Sequence, residues 1–243
     1  MKIILSDYDG TLNHGGITQK KLDAIKKWRE AGNLFSVVSG RQKEFFFDLK
    51  NDNIPLDYFL ACNGAVITDG EQNIIKDFRC EGSVALPLIE FLFSFGCSFA
   101  NVCKDTFLRV VNEAFPEEEG KKLSEIKEIS YFNQISTDLP DFDTAGEVTA
   151  AVKERFGEFV NPLQNGTCID IVPKGIDKAQ GIYKLLEIID EKIEDVIAVG
   201  DNINDEAMIR EFYSYAMANG VDRIKALADN ITSGIEELIE KEI

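Results

Sequence analysis

Three short apolar runs near the N-terminus, Ile3–Leu5, Leu34–Val38 and Tyr58–Ala61, each stop at small polar residues: Ser6-Asp7-Tyr8-Asp9-Gly10-Thr11, Ser39-Gly40-Arg41 and Asn63-Gly64. A continuous apolar run of this length reads as a strand buried on both faces, and such strands are covered by helices. Helical patterns do lie between them. Thr18 is suited to cap a helix with Leu22, Ile25 and Trp28 on one stripe and Gly32 as its stop, and a second helical stretch runs through Leu49. Strand, helix, strand, helix, strand predicts a parallel sheet whose polar loops follow the carboxyl ends of the strands.

The same alternation returns late in the chain. A helix over 177–189, a strand Val196–Val199, a helix from Asp205, a strand Tyr215–Ala218 and an amphipathic closing helix around Glu236–Lys241 are expected. The middle has a different texture: a helix Val84–Phe95, strands near Phe99 and Leu108, an acidic turn at Glu117–Glu119, a strand near Tyr131, a helix Thr144–Phe156, and strands near Phe159 and Ile169. At 243 residues the chain has room for roughly one and a half domains. The expected fold is therefore α/β, a doubly wound parallel-sheet core (1–80 and 173–243) with an inserted α+β domain (81–172).

Charge and cysteine usage narrow the function. Twenty-six basic against 43 acidic residues leave a net charge of −17, so a nucleic acid or an anionic membrane surface would be repelled. The 5 cysteines lack a C-x-x-C pair and suggest a reducing, cytoplasmic setting. Met1-Lys2 is followed by only three apolar residues before Ser6, too few for a signal peptide, and the greasiest stretch, Leu86–Ala100, is broken by Pro87 and Glu90.

The chemistry gathers at the predicted strand ends. Asp7 and Asp9 lie two apart where a strand stops, so both side chains can face the same side. Two acids so placed repel each other unless a hard cation binds or one keeps its proton for transfer; alone, D-x-D-G also reads as an acidic turn. A second acidic group, Gly200-Asp201-Asn202-Ile203-Asn204-Asp205, follows another buried strand. If both groups lie on one sheet edge, Asp7 and Asp201 could hold Mg2+. Ser39 and Gly40 offer a hydroxyl and open N–H groups for phosphate oxygens. Lys174 and Lys178 stand near a helix start, where the helix dipole disfavours a cation, so an anionic partner is expected.

The ordered set D-x-D-G-T, S-G-R, a lysine at a helix start and G-D-N-x-N-D resembles the haloacid dehalogenase superfamily, most closely its Cof-type branch with an inserted cap, to which Asn63-Gly64-Ala65 also corresponds. The resemblance implies that Asp7 is the nucleophile forming an aspartyl phosphate, that Asp9 is the general acid and base with its main-chain carbonyl turned to the metal, and that Asp201 completes an Mg2+ site with Asp7. It implies phosphate contacts from Ser39, Gly40, Lys178 and Asn204, with Asp205 orienting the lysine, and favours Lys178 over Lys174. Arg41 and Asn63 are candidate substrate contacts. The expected activity is an Mg2+-dependent phosphatase of a small phosphorylated metabolite, with a sugar phosphate the expected substrate; a phosphomutase and a non-catalytic phospho-accepting protein are the alternatives.

Overall fold

The computed structural model describes all 243 residues. The chain divides into two compact units, one made of Met1–Lys76 and Lys178–Ile243, the other of Asp77–Asp177. No helix is long and apolar enough to cross a membrane.

The first unit opens with β1 (Ile3–Ser6), α1 (Gln19–Glu30), β2 (Leu34–Val38), α2 (Phe46–Asn51), β3 (Tyr58–Ala61) and the pair β4 (Val66–Asp69) and β5 (Ile74–Asp77). The Thr18 hydroxyl caps α1 by accepting from the Lys21 N–H, and Gly32 takes the left-handed conformation beyond its end. The buried stripe of α1 differs from the expected one: Lys21, Ile25 and Trp28 face inward, while Leu22 is half-buried. The strands β4 and β5 were not expected, because runs of four residues carry little periodic signal.

The inserted unit holds β6 (Cys80–Glu81), α3 (Ala85–Ser94), β7 (Phe99–Cys103), β8 (Leu108–Val111), β9 (Lys121–Lys122), β10 (Tyr131–Phe132), β11 (Gln134–Asp138), α4 (Phe142–Phe156), β12 (Val160–Asn165) and β13 (Cys168–Pro173). Six strands form one sheet in the order β12-β13-β11-β7-β8-β9, and β6 pairs with β10. Its core includes Leu88, Ile89 and Leu92 of α3, Val148 and Val152 of α4, and Val102, Ile135 and Ile171 of the sheet. The expected single strand near Tyr131 is two strands broken at Asn133, whose side-chain amide donates to Asp77 Oδ1 (2.9 Å) and the Phe78 carbonyl (2.8 Å). Pairing of Cys80 with Phe132 and of Pro173 with Val160 draws residues 77–80 and 173–177 into this unit, a wider insert than 81–172.

The chain then returns through α5 (Lys178–Ile189), β14 (Val196–Gly200), α6 (Glu206–Glu211), β15 (Tyr213–Met217), α7 (Asp222–Leu227), β16 (Asn230–Thr232) and α8 (Ile235–Glu242). The eight-stranded sheet has the order β16-β15-β14-β1-β2-β3-β4-β5, parallel from β16 to β3. Successive strands move outward from β1 in one direction and, after the insert, from β14 in the other. That reversal makes a crevice at the carboxyl ends of β1 and β14.

The turn after β3 matters to α5. Cys62, Asn63 and Gly64 all have positive φ, of 52°, 53° and 95°, and Gly181 on α5 packs directly on Gly64. A Cβ on Gly181 would lie 2.5 Å from the Gly64 Cα, so the helix can approach this turn only because residue 181 lacks a side chain. Gly181→Ala is expected to destabilise the chain by about 1–3 kcal/mol through overpacking, read as a lower urea midpoint, even though alanine is the better helix former.

Candidate active site

Register brings distant segments together. Ser6 lies beside Val199 of β14 and Val37 of β2, and Val38 lies beside Leu60 of β3. The residues that follow these strands, 200–205, 7–11, 39–41 and 62–64, therefore emerge side by side along one sheet edge.

The segment after β1 turns at once. Asp9 (φ −74°, ψ 122°) and Gly10 (φ 79°, ψ −13°) are the central residues of a type II turn, whose second position needs positive φ and hence favours glycine. Space requires glycine as well, since a Cβ at residue 10 would sit 2.4 Å from Asp201 Oδ2. The Thr11 hydroxyl donates to Asp201 Oδ1 at 2.6 Å, and the Asn219 side-chain amide donates to the Gly10 carbonyl at 2.9 Å.

Lys178, the first residue of α5, is completely buried. Its Nζ donates to Asp7 Oδ1 at 2.6 Å and to Asp205 Oδ1 at 2.5 Å. Asp205 uses its other oxygen to accept the N–H groups of Asp201 (2.9 Å) and Asn202 (3.0 Å), so it ties the β14 loop to the lysine. Burial disfavours the Lys178 charge, but Asp205 and Asp7 together outweigh it and hold the ammonium above the ordinary lysine value. Asp7 moves the other way from an ordinary ion-paired acid: burial pushes its pKa well up, with Asp205 and Asp201 adding, against the pull of Lys178. Burial raises Asp201 too, partly opposed by the Thr11 hydroxyl.

One ligand oxygen each from Asp7, Asp201 and Asp205 lies within 4.8 Å of the others. Three carboxylates facing one ammonium leave two negative charges uncompensated in a mostly buried setting. Asp205 is committed to Lys178 and the backbone, so Asp7 and Asp201 are the pair with capacity left for a small hard cation. Oxygen donors of this number and charge fit Mg2+, which takes one or two carboxylates and completes its shell with water and phosphate.

Ser39 is buried beside this edge; its hydroxyl accepts the Arg41 N–H at 3.1 Å and its carbonyl accepts the Asn63 N–H at 2.8 Å. Gly40 and Asn204 are half-buried on the flanking turns, and Asn63 is fully buried. Asp9 is placed differently from Asp7. Its half-exposed carboxylate takes two hydrogen bonds from the Arg41 guanidinium, both 2.9 Å, and Arg41 lies 4.8 Å from the Phe45 ring centroid. Asp9 is still near enough to Asp201 to help raise its pKa. Lys174 is exposed in the inserted unit and pairs with Glu158 at 3.2 Å. Thr11 as a partner of Asp201 and Asn219 as a brace for Gly10 were not anticipated; the polar Asn219-Gly220 following β15 repeats the strand-end pattern that marks the other segments.

A family model described as haloacid dehalogenase-like hydrolase matches residues 4–237. YkrA of Bacillus subtilis (strain 168), a phosphatase candidate by name, is 39% identical over 253 residues, covering 97% of this chain and 93% of its own. The 5-amino-6-(5-phospho-D-ribitylamino)uracil phosphatase YcsE of the same organism is 25% identical over 248 residues, covering 100% and 94%. A solved haloacid dehalogenase-like hydrolase from B. subtilis superposes with a TM-score of 0.84 at 18% identity, covering 100% of both chains, which shows the fold.

Lys178→Met is expected to cost about 3–5 kcal/mol at neutral pH, because it strands two buried carboxylates. With the ammonium gone, burial acts on Asp7 unopposed and raises its folded pKa further above that of an ordinary aspartate. A carboxyl that holds its proton more tightly when folded adds stability as pH falls through that raised value, so the deficit should shrink on acidification. Urea unfolding of both proteins at about pH 7 and about pH 5 measures this.

Proposed function

The chain belongs to the haloacid dehalogenase-like hydrolase family and is a phosphoric monoester hydrolase, and on that premise we propose an Mg2+-dependent phosphatase that works through an aspartyl phosphate on Asp7. The observation that carries this reading is the buried Asp7–Lys178–Asp205 bridge beside Asp201.

Lys178 engages one Asp7 oxygen and leaves the other for attack on phosphorus. The new bond from that oxygen forms as the bond from phosphorus to the leaving oxygen breaks, and Asp9 supplies the proton that the leaving alcohol needs. Asp9 then takes a proton from the water that attacks the phosphoenzyme, which releases inorganic phosphate and restores Asp7. Arg41 donates to both Asp9 oxygens; an anionic phosphate ester competes for the guanidinium and frees Asp9 for this work.

Ser39, Gly40 and Asn204 contact the phosphoryl oxygens with Lys178, Asp205 holds the lysine in place, and Asn63 and Arg41 touch the ester. Asp7, Asp201 and the Asp9 main-chain carbonyl would hold Mg2+. Bound there, the ion supplies electrostatic stabilisation of charge on the transferring phosphoryl group.

The substrate is a small phosphorylated metabolite, with a sugar or polyol phosphate favoured by the phosphoribityl substrate in the name of the YcsE relative. The acidic surface argues against nucleic acid, and five free thiols suit the cytoplasm.

The test is a phosphometabolite screen with and without Mg2+, in which phosphate release should match substrate loss only when the ion is present. Isomerised sugar phosphate without phosphate release would make the protein a mutase, and inertness to the whole panel would make it a binding protein. Asp7→Asn should lose at least about a thousandfold in kcat with folding intact. Asp201→Ala should raise the Mg2+ concentration for half-activation by at least about tenfold; an unchanged titration removes Asp201 from the ligand set.

A further inference from the structure

Lys21 is only 4% exposed, yet it lies in the first turn of α1, where the helix dipole disfavours a cation. It forms no ion pair. Its Nζ instead donates to three main-chain carbonyls: Leu12 (2.9 Å), His14 (2.5 Å) and Gly16 (3.0 Å). An ammonium has three protons, and here each has a carbonyl partner.

All three acceptors belong to one loop, the stretch that follows the Asp9-Gly10 turn. The loop's own N–H groups point back: Leu12 to the Asp7 carbonyl (3.2 Å), Asn13 to the Tyr8 carbonyl (2.8 Å) and His14 to the Thr11 carbonyl (3.2 Å). Leu12 and His14 are therefore held through both their N–H and C=O groups, by the Asp7 and Thr11 carbonyls on one side and Lys21 on the other. Gly15 and Gly16, with φ of 71° and 86°, give the loop its curvature but no rigidity of their own. The exposed residues 13–16 have no other buried polar anchor among the hydrogen bonds that they make.

Burial lowers the Lys21 pKa, and only Glu236 at the start of α8 opposes it electrostatically. One oxygen of Glu236 is itself buried without a hydrogen-bond partner. A methionine or glutamine would fill the same space without that penalty, so packing alone does not call for a lysine here.

We propose that Lys21 is a positioning residue for phosphoryl transfer: by gathering the carbonyls of Leu12, His14 and Gly16 it fixes the loop after Gly10, and through it the placement of Asp9. This rests on the reading of Asp9 as the proton carrier given above.

The test compares the full-length wild type with Lys21→Met, Lys21→Arg and Lys21→Ala, using p-nitrophenyl phosphate with Mg2+ well below each protein's melting temperature. Lys21→Met should lose about 10- to 100-fold in kcat with KM within about threefold, because misplacing a reacting group costs turnover more than binding. Lys21→Arg should recover most of that loss. Ethylammonium should restore part of the Lys21→Ala activity saturably, and amide exchange at residues 12–14 should quicken in Lys21→Met. A folded Lys21→Met with kcat within about twofold of wild type, or a loss that tracks the unfolded fraction and resists ethylammonium, overturns the positioning role alone. A wild type inert to every phosphomonoester overturns the parent reading and this role with it.

Discussion

A single buried ammonium organises this molecule's polar edge. Lys178 starts α5, where the helix dipole opposes it, and it is removed from water, so it persists only because Asp7 and Asp205 accept its protons. Each carboxylate is fixed in turn by backbone. Asp205 receives two N–H groups from the β14 loop, and Asp7 follows β1 directly, its own N–H bonded to the Val199 carbonyl at 2.9 Å. The lysine thus ties α5, β1 and the loop after β14 into one electrostatic unit that still carries excess negative charge.

That unit can exist only if backbones come unusually close. The Gly10 turn leaves the Asp201 carboxylate the space that a side chain would take, and Gly181 lets α5 rest on Gly64. A methyl group at either glycine would sit closer to its neighbour than carbon atoms normally approach. The electrostatic arrangement and the steric one therefore depend on each other: without the close approach the ammonium does not reach both acids, and without the acids the helix start has no reason to be buried.

Much of the core was legible in the chain itself. The runs Leu34–Val38 and Tyr58–Ala61 are strands at the residues expected, since continuous β-branched and aromatic stretches flanked by turn residues leave little choice. The hairpin of β4 and β5 and the split at Asn133 were not: runs of four residues carry little periodic signal, and Asn133 is held by Asp77 and Phe78, far away in sequence. Lys21 shows the same limit from the other side. Its position on the inward stripe of α1 would be read as a solvated lysine from spacing alone, and only the three converging carbonyls explain its burial.

The chain's own pattern determined which residue types stand at the ends of buried strands, because apolar continuity and its abrupt loss are local properties. It placed Asp7, Ser39 and Asp201 after strands and a lysine at a helix start. Tertiary structure alone decided that β1 pairs with β14 in a register that brings Asp7 to the β14 loop, that the buried Lys178 ammonium bridges Asp7 and Asp205 together, and that Asp9 turns to Arg41. Those outcomes depend on strand order, close packing and the direction of side chains in a low-dielectric interior, which arise only when segments nearly two hundred residues apart meet.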